Sequence, residues 1–284
     1  MPSTNRHIFT VDVEEYFQVE AFSPFVNRKD WDKYPGRVDQ TTDRLLGLLE
    51  KHRVPGTFFI LGWLAERNPS LVKRIAAAGH EIGSHGYGHK MITKMTPGDF
   101  REDIRKSKKI LEDITGKAVE GYRAPTFSIV KETGWAYAVL SEEGYRYSSS
   151  VFPVWHDRYG WPEFGQEPRK MVSGEAGDFW EVPLSVGFIG SLKVPFGGGG
   201  YLRWYPLFLT KRFLRDFTRN GRSVLVYIHP WELDAAQPDV PAPFLRRLRH
   251  RMGIPKMEEK LSELFRMLKF GTVAQFLEGK GYVA

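Results

Sequence analysis

Two histidines four residues apart, His85 and His89, lie in the run Gly-Ser-His-Gly-Tyr-Gly-His, and an acidic cluster, Asp12-Val-Glu14-Glu15, precedes them near the start of the chain. Two imidazoles and one carboxylate can hold a divalent cation, zinc first among them, with a coordination position left for water. Such a site is suited to hydrolysis. The two rings can converge in either of two ways. On a helix they share a face; the neighbouring Gly83, Gly86 and Gly88 favour a tight turn instead. Asp12 and Glu14 share one side of an extended segment, so one can bind metal while the other works as a base. Glu15 points the other way. The plain alternative is an acidic strand end that faces solvent.

Further candidates follow along the chain. Arg123, in Tyr-Arg-Ala-Pro-Thr-Phe, can hold a carboxylate ionised through charge-assisted hydrogen bonds, or can form a structural ion pair. His229 ends an apolar stretch, and Pro230 after it stops the strand and exposes the ring. A structural histidine is the alternative there. Trp155, Trp161, Trp180, Tyr201 and Trp204 are flat rings of the kind that suit sugar faces, although ordinary packing accounts for most of them. The run Gly197–Gly200 lacks the strand–turn–helix context of a nucleotide loop. Late in the chain, Arg246, Arg247, Arg249, His250 and Arg251 form a basic cluster. It reads as a solvated helix face or as a patch for an anionic polymer or lipid headgroups. No nucleic-acid motif accompanies it, so no nucleic-acid partner is expected.

The elements that must position these residues are read from hydrophobic periodicity. Strands are expected at Ile8–Val13, Thr57–Leu61, His80–Ser84, Gly121–Arg123, Tyr145–Tyr147 and Ser223–His229. Helices are expected at Thr41–His52, from Asn68-Pro69 to Gly79, from Thr96-Pro97 to Gly116, and over Lys131–Glu143, Trp204–Asn220, Met257–Lys269 and Thr272–Glu278. This β-α alternation argues for a parallel sheet, either a barrel or doubly wound. Between about residues 150 and 205 the pattern dissolves into Pro, Gly, Trp and His, which reads as a loop-rich binding surface or lid. Asp12, His85, Arg123 and His229 all fall at or just past C-terminal strand ends, where barrels of parallel strands carry their active sites.

Composition narrows the class. The 284 residues are 42% hydrophobic and 26% charged, with a formal net charge of +7, as in a water-soluble globular protein. No apolar run approaches the ~18 residues of a membrane span. Cysteine is absent, so disulfides and thiolate sites are excluded. The first residues, Met-Pro-Ser-Thr-Asn-Arg-His, lack the apolar segment of a secretory leader. The expectation is a cytoplasmic, non-transmembrane protein. Peripheral membrane contact and oligomer formation stay open.

In this order the motifs resemble the polysaccharide deacetylase family, carbohydrate esterase family 4. The likeness covers most of the chain and is nearest to the branch linked to bacterial exopolysaccharide (PEP-CTERM/exosortase) loci. It implies an α/β fold, a distorted (β/α) barrel of about seven parallel strands. It also implies one catalytic domain over residues 1–284, with a loop-rich insertion at about 150–205 and a C-terminal helical extension at about 234–284. By resemblance, Asp12 is the base, Arg123 orients it, and Glu14, His85 and His89 bind the metal, with Glu14 chosen because Val13 stands in the place of the usual second Asp. The backbone N–H of Thr126 receives the oxyanion, His229 is the general acid, and Phe127, Tyr201 and Trp231 contact substrate. The implied reaction removes N-acetyl groups from amino sugars of a polysaccharide or oligosaccharide and releases acetate. One motif departs: Ser148 stands where the family carries an Asp that tunes the catalytic histidine. Either Glu181 or Glu232 substitutes, or activity is reduced. The rival readings are an amide hydrolase of the same fold acting on a small ureide or imide, and a catalytically weak sugar-binding protein.

Overall fold

The structure, a computed structural model, describes residues 7–156, 159–174 and 177–282. Residues 1–6, on which the expectation of no leader mainly rests, lie outside them. The strand β1 (His7–Val13) is buried at every position, as befits a strand paired on both sides and covered on both faces. A long loop leads to α1 (Val38–His52). The Glu15 carboxylate caps this helix from a distance, accepting the backbone N–H groups of Arg37 at 2.8 Å and Val38 at 3.0 Å. Glu15 thus turns away from the histidines, as its place in the sequence implies. Next come β2 (Thr57–Ile60), the short α2 (Gly62–Arg67), α3 (Pro69–Ala77), β3 (Glu81–Ser84) and α4 (Pro97–Thr115). Helix α4 opens with a reciprocal Thr96–Asp99 capping box and stops at Gly116 in the left-handed region. The strand β4 (Gly121–Tyr122), α5 (Ala136–Glu142) and β5 (Tyr147–Ser148) complete the first half.

The second half is less regular. Residues 150–205, expected to be loop-rich, also contain regular elements among the described residues. They hold β6 (Arg169–Gly174) and β7 (Gly177–Glu181), then β8 (Val186–Ile189) and β9 (Leu192–Pro195), and the short α6 (Gly199–Trp204). The outer strands of these hairpins are largely solvated, so no buried apolar run marks them in the sequence. Helix α7 (Leu207–Arg219) is separate from α6. Pro206 divides the single helix expected over Trp204–Asn220, because a proline disfavours helical backbone at the residue before it. The chain finishes with β10 (Leu225–Ile228), α8 (Phe244–Arg251), α9 (Met257–Met267), β11 (Phe270–Gly271) and α10 (Val273–Gly279).

The sheet runs in the order β10-β1-β2-β3-β4-β5-β7-β6, with β11 added beside β1. Every pairing from β10 to β7 is parallel, so seven parallel strands make the expected α/β architecture. The short β11 is parallel to β1 as well, β6 runs antiparallel to β7 at the edge of this sheet, and β8 and β9 form a separate antiparallel pair. Loop backbone spans the space between β7 and β10. The Leu225 N–H donates to Ser185 Oγ at 2.8 Å, and the Tyr227 N–H donates to the Gly197 carbonyl at 2.9 Å. Gly198 forms a parallel bridge with Tyr227. A Cβ on Gly198 would collide with the Tyr227 backbone oxygen and ring, which explains why glycines stand here. Gly198→Ala is accordingly expected to cost on the order of 2 kcal/mol of stability by overpacking. Urea denaturation checks this; an unchanged midpoint would mean that the loop is not clamped against β10.

Candidate metal centre and its surroundings

Parallel strands deliver their C-terminal ends to one rim, and the chemistry-bearing residues gather there. Glu14 follows β1 directly, and His85 and His89 follow β3. One ligand atom from each of Glu14, His85 and His89 lies within 4.8 Å of the others, and all three residues are buried. No helix carries the histidine pair. The two rings converge through a turn in which Gly86 has φ +71° and His89 has φ +51°. A Cβ on Gly86 would also sit 2.7 Å from Asp103 Oδ2. Asp103, on α4, holds the turn by accepting the N–H groups of Tyr87 at 2.8 Å and Gly88 at 3.3 Å. Arg28 donates to the His89 carbonyl at 2.8 Å.

His85 and Glu14 are arranged to receive a cation. His85 Nδ1 lies 2.8 Å from the Arg123 carbonyl oxygen. A carbonyl only accepts, so Nδ1 carries the proton and Nε2 presents a lone pair. Burial pushes the His85 pKa down to about 4, so the ring is neutral near pH 7. Glu14 Oε2 lies 2.8 Å from His89 Nε2 but is a buried oxygen without a hydrogen bond. Burial raises the Glu14 pKa, yet attraction from His89 and His229 outweighs it and holds the group down at about 2. The result is an ionised, under-coordinated carboxylate facing two imidazoles. Two nitrogens and one oxygen in this arrangement fit a zinc-type ion.

Asp12 points from β1 toward Arg123. The fully buried guanidinium donates from Nη1 to Asp12 Oδ1 at 2.8 Å and to Thr10 Oγ1 at 2.7 Å. Its other nitrogens donate to the carbonyl and hydroxyl of Ser149, each at 2.8 Å. These bonds fix both the guanidinium plane and the carboxylate. After Arg123, Thr126 and Phe127 adopt left-handed φ values of +57° and +50°. With His89, they are three of the four non-glycine residues with positive φ among the described residues, and all three belong to segments that follow site strands. A β-branched residue held there is strained, and strain of this kind concentrates at functional sites.

His229 follows β10. Its Nε2 lies 3.5 Å from Glu14 Oε1, and its Nδ1 donates to Glu232 Oε1 at 2.7 Å. Glu232 Oε2 in turn pairs with Arg203 Nε at 2.8 Å, both side chains being buried. Burial lowers the His229 pKa, but Glu14 and Glu232 more than offset it and raise the group to about 9. Of the two acids the sequence offered as partners for this histidine, only Glu232 touches it. Glu181 instead accepts the N–H groups of Ser150 at 2.6 Å and Val151 at 2.8 Å. Ser148 Oγ lies 2.6 Å from Ser150 Oγ and close enough to the buried Glu181 carboxylate to favour its charge. Ser148→Asp is therefore expected to bring no gain in turnover and to cost on the order of 3 kcal/mol, by pressing a second carboxylate onto a buried one. Thermal melting together with an acetate-release assay checks both parts; a variant that releases acetate faster than the natural chain would mean that the serine is a defect.

The three aromatics assigned to substrate are placed differently. Trp231 is 4% exposed, stacked on His229 at 5.0 Å on one side and on His250 at 4.2 Å on the other. Neither ring face is free for a sugar to stack on. Its Nε1 instead donates to Glu14 Oε1 at 3.3 Å. Phe127 is 8% exposed and packs edge-on against Tyr227 at 4.9 Å, itself 6.0 Å from the His229 ring. Tyr201 is half-buried on α6, beside Trp204 and Tyr205. A cleft of about 350 Å³ adjoins His89, lined in part by Phe17, Gln18, Phe25, Arg28 and Trp31. No sequence pattern marks this cleft, because the β1–α1 loop carries no periodicity. Arg203 was missed as well; its role depends on a partner from another element.

Residues 30–148 match the polysaccharide deacetylase family, and residues 149–278 match a domain of unknown function, DUF3473. A peptidoglycan-N-acetylglucosamine deacetylase of Bacillus cereus is 40% identical over 96 residues, covering 34% of this chain and 35% of that protein. A peptidoglycan deacetylase of Helicobacter pylori is 36% identical over 154 residues, covering 50% of this chain and 52% of that protein. The chain thus spans about half, or less, of these relatives' length. In fold it is similar to a candidate polysaccharide deacetylase from Mycobacterium smegmatis, with a TM-score of 0.61 at 21% identity over 98% of this chain and 91% of the other. His85, His89 and Arg123 fall in the first matched segment, and Arg203, His229 and Glu232 in the second. The chain therefore joins a polysaccharide deacetylase match, which holds the histidine pair, to a DUF3473 match, which holds the third histidine and its acid.

Proposed function

We propose that the protein is a metal-dependent hydrolase that removes N-acetyl groups from amino sugars of a bacterial polysaccharide and releases acetate. The observation that carries this reading is the convergence of Glu14, His85 and His89 within 4.8 Å, with Asp12 and His229 beside them. A divalent cation held by these three, zinc by the chemistry of the donors, supplies the Lewis acidity that activates water and polarises the acetamide carbonyl. Asp12, kept oriented by Arg123, takes the proton of the attacking water. The N–H of Thr126, in its strained turn, donates to the developing oxyanion; one such donor is worth about 3 kcal/mol. His229, protonated and held by Glu232, passes its proton to the departing amine. The product gains a positive charge wherever an acetyl group is lost.

Exopolysaccharide is the polymer proposed, and the cleft beside His89 is where neighbouring sugar units bind. No helix among the described residues is long and apolar enough to cross a membrane. A cytoplasmic site of action, read from composition, belongs to the same proposal. Acetate release from N-acetylglucosamine oligomers tests the reaction. Release that requires added zinc and exceeds hydrolysis of a small cyclic imide is the expected result. Turnover of the imide alone would replace the substrate class, and binding of oligomers with no release would make the protein a sugar-binding one.

A further inference from the structure

Helix α8 exposes its apolar residues instead of burying them. Phe244, Leu245 and Leu248 are 66%, 70% and 48% exposed, and Met252 just beyond is 46% exposed. Their spacing of three and four sets Leu245, Leu248 and Met252 in one stripe, with Phe244 beside it. The same eight-residue helix carries Arg246, Arg247, Arg249 and Arg251 and no acid. Asp239 answers two of these charges, pairing with Arg247 at 2.8 Å and Arg251 at 2.9 Å. Arg246 donates to the Ala21 carbonyl at 2.9 Å, has no ion pair among the described residues, and lies over the exposed Phe25 ring. Arg249 is exposed and has no ion pair among the described residues. The elbow between α6 and α7 adjoins the end of this helix: a Cβ on Gly253 would lie 2.5 Å from the Arg203 carbonyl. That elbow exposes Trp204 and Phe208, the latter at 71%.

We propose that α8 and the adjoining elbow form a docking surface for an anionic lipid bilayer. An apolar stripe flanked by arginines matches the boundary of such a bilayer, where acyl chains meet phosphates. A second copy of the chain matches it poorly, since each copy carries a formal charge of +7 and would bring the same basic face. His250, from α8, stacks on Trp231, which stacks on His229. The docking helix is thus tied to the rim that carries the metal ligands, and docking brings that rim to the membrane surface. The proposal does not depend on which bond the site hydrolyses.

The test is co-sedimentation of the full chain with sucrose-loaded vesicles. Vesicles of phosphatidylcholine alone are compared with vesicles containing about one-third phosphatidylglycerol. Binding to the anionic vesicles is expected to be at least about tenfold stronger and to fall at high salt. Arg249→Gln is expected to weaken it about fivefold, the worth of one cation near such a surface. Leu245→Ser with Leu248→Ser is expected to weaken it at least about tenfold. Both variants should keep wild-type circular dichroism and zinc content, which separates lost docking from lost fold. Equal binding of all three proteins, or no binding to anionic vesicles, overturns the proposal. So does a wild-type dimer, seen by light scattering without vesicles, that Leu245→Ser with Leu248→Ser dissociates. Binding to a soluble anionic polysaccharide that depends on Arg249 but not on Leu245 and Leu248 also overturns it.

Discussion

His85→Ala is expected to yield a folded protein that no longer retains zinc and no longer releases acetate. In the proposed site the ring is one of three donors found among the described residues, and its tautomer is fixed by the bond to the Arg123 carbonyl. Outer partners of metal ligands are typically worth 10–100-fold in affinity, so loss of a direct donor is expected to exceed about 100-fold. His89→Ala should behave alike. It also leaves Glu14 without its nearest imidazole, 2.8 Å away. Zinc content by mass spectrometry and acetate release, measured on the same preparations, check the expectation. Either variant holding a full equivalent of zinc would remove that histidine from the ligand set.

His229→Ala is expected to separate binding from chemistry. The ring lies beside Glu14, outside the group of three, so the variant should keep its zinc. Loss of a positioned proton donor typically lowers turnover by about 10²–10⁴-fold. The fall should appear in kcat with KM little changed, since the proton is needed only as the amine departs. Glu232→Gln provides the finer comparison. Glutamine keeps an oxygen for the histidine N–H but removes the charge that helps keep the ring protonated, and it leaves Arg203 buried without its counter-charge. Turnover is expected to fall by on the order of tenfold, with a loss of stability alongside, because breaking a buried pair strands the remaining charge. A His229→Ala variant with unchanged turnover would exclude the acid role.

The split between what was and was not legible in the sequence follows the range of the interactions. The parallel strands announce themselves as short buried runs, and β1 is buried from His7 to Val13. Proline and glycine punctuate the helices between them, so Asp12, His85, Arg123 and His229 could be assigned to strand ends without coordinates. The turn that converges the histidines was one of two readings, and Gly86 at positive φ is the reason it prevails. Contacts made across the fold were not legible. Nothing local to Arg203 marks it as the partner of Glu232, and nothing local to Glu15 marks it as the cap of α1. The burial of Trp231 between His229 and His250 was not legible either, because it depends on where α8 folds back. The hairpins over residues 169–195 escaped notice because their exposed strands carry no apolar run. At Ser148 the sequence left open whether Glu181 or Glu232 substitutes for the missing acid, and only the fold puts Glu232 against His229.

The central claim is that Glu14, His85 and His89 close around one divalent ion. X-ray absorption at the zinc edge of the loaded protein tests it most directly. One zinc per chain is expected, with imidazole scattering from two histidines at about 2.0–2.1 Å and one carboxylate oxygen at about 2.0–2.2 Å. A shell without imidazole scattering, or one left unaltered in a Glu14→Ala, His85→Ala double variant, would place the ion elsewhere and contradict the account.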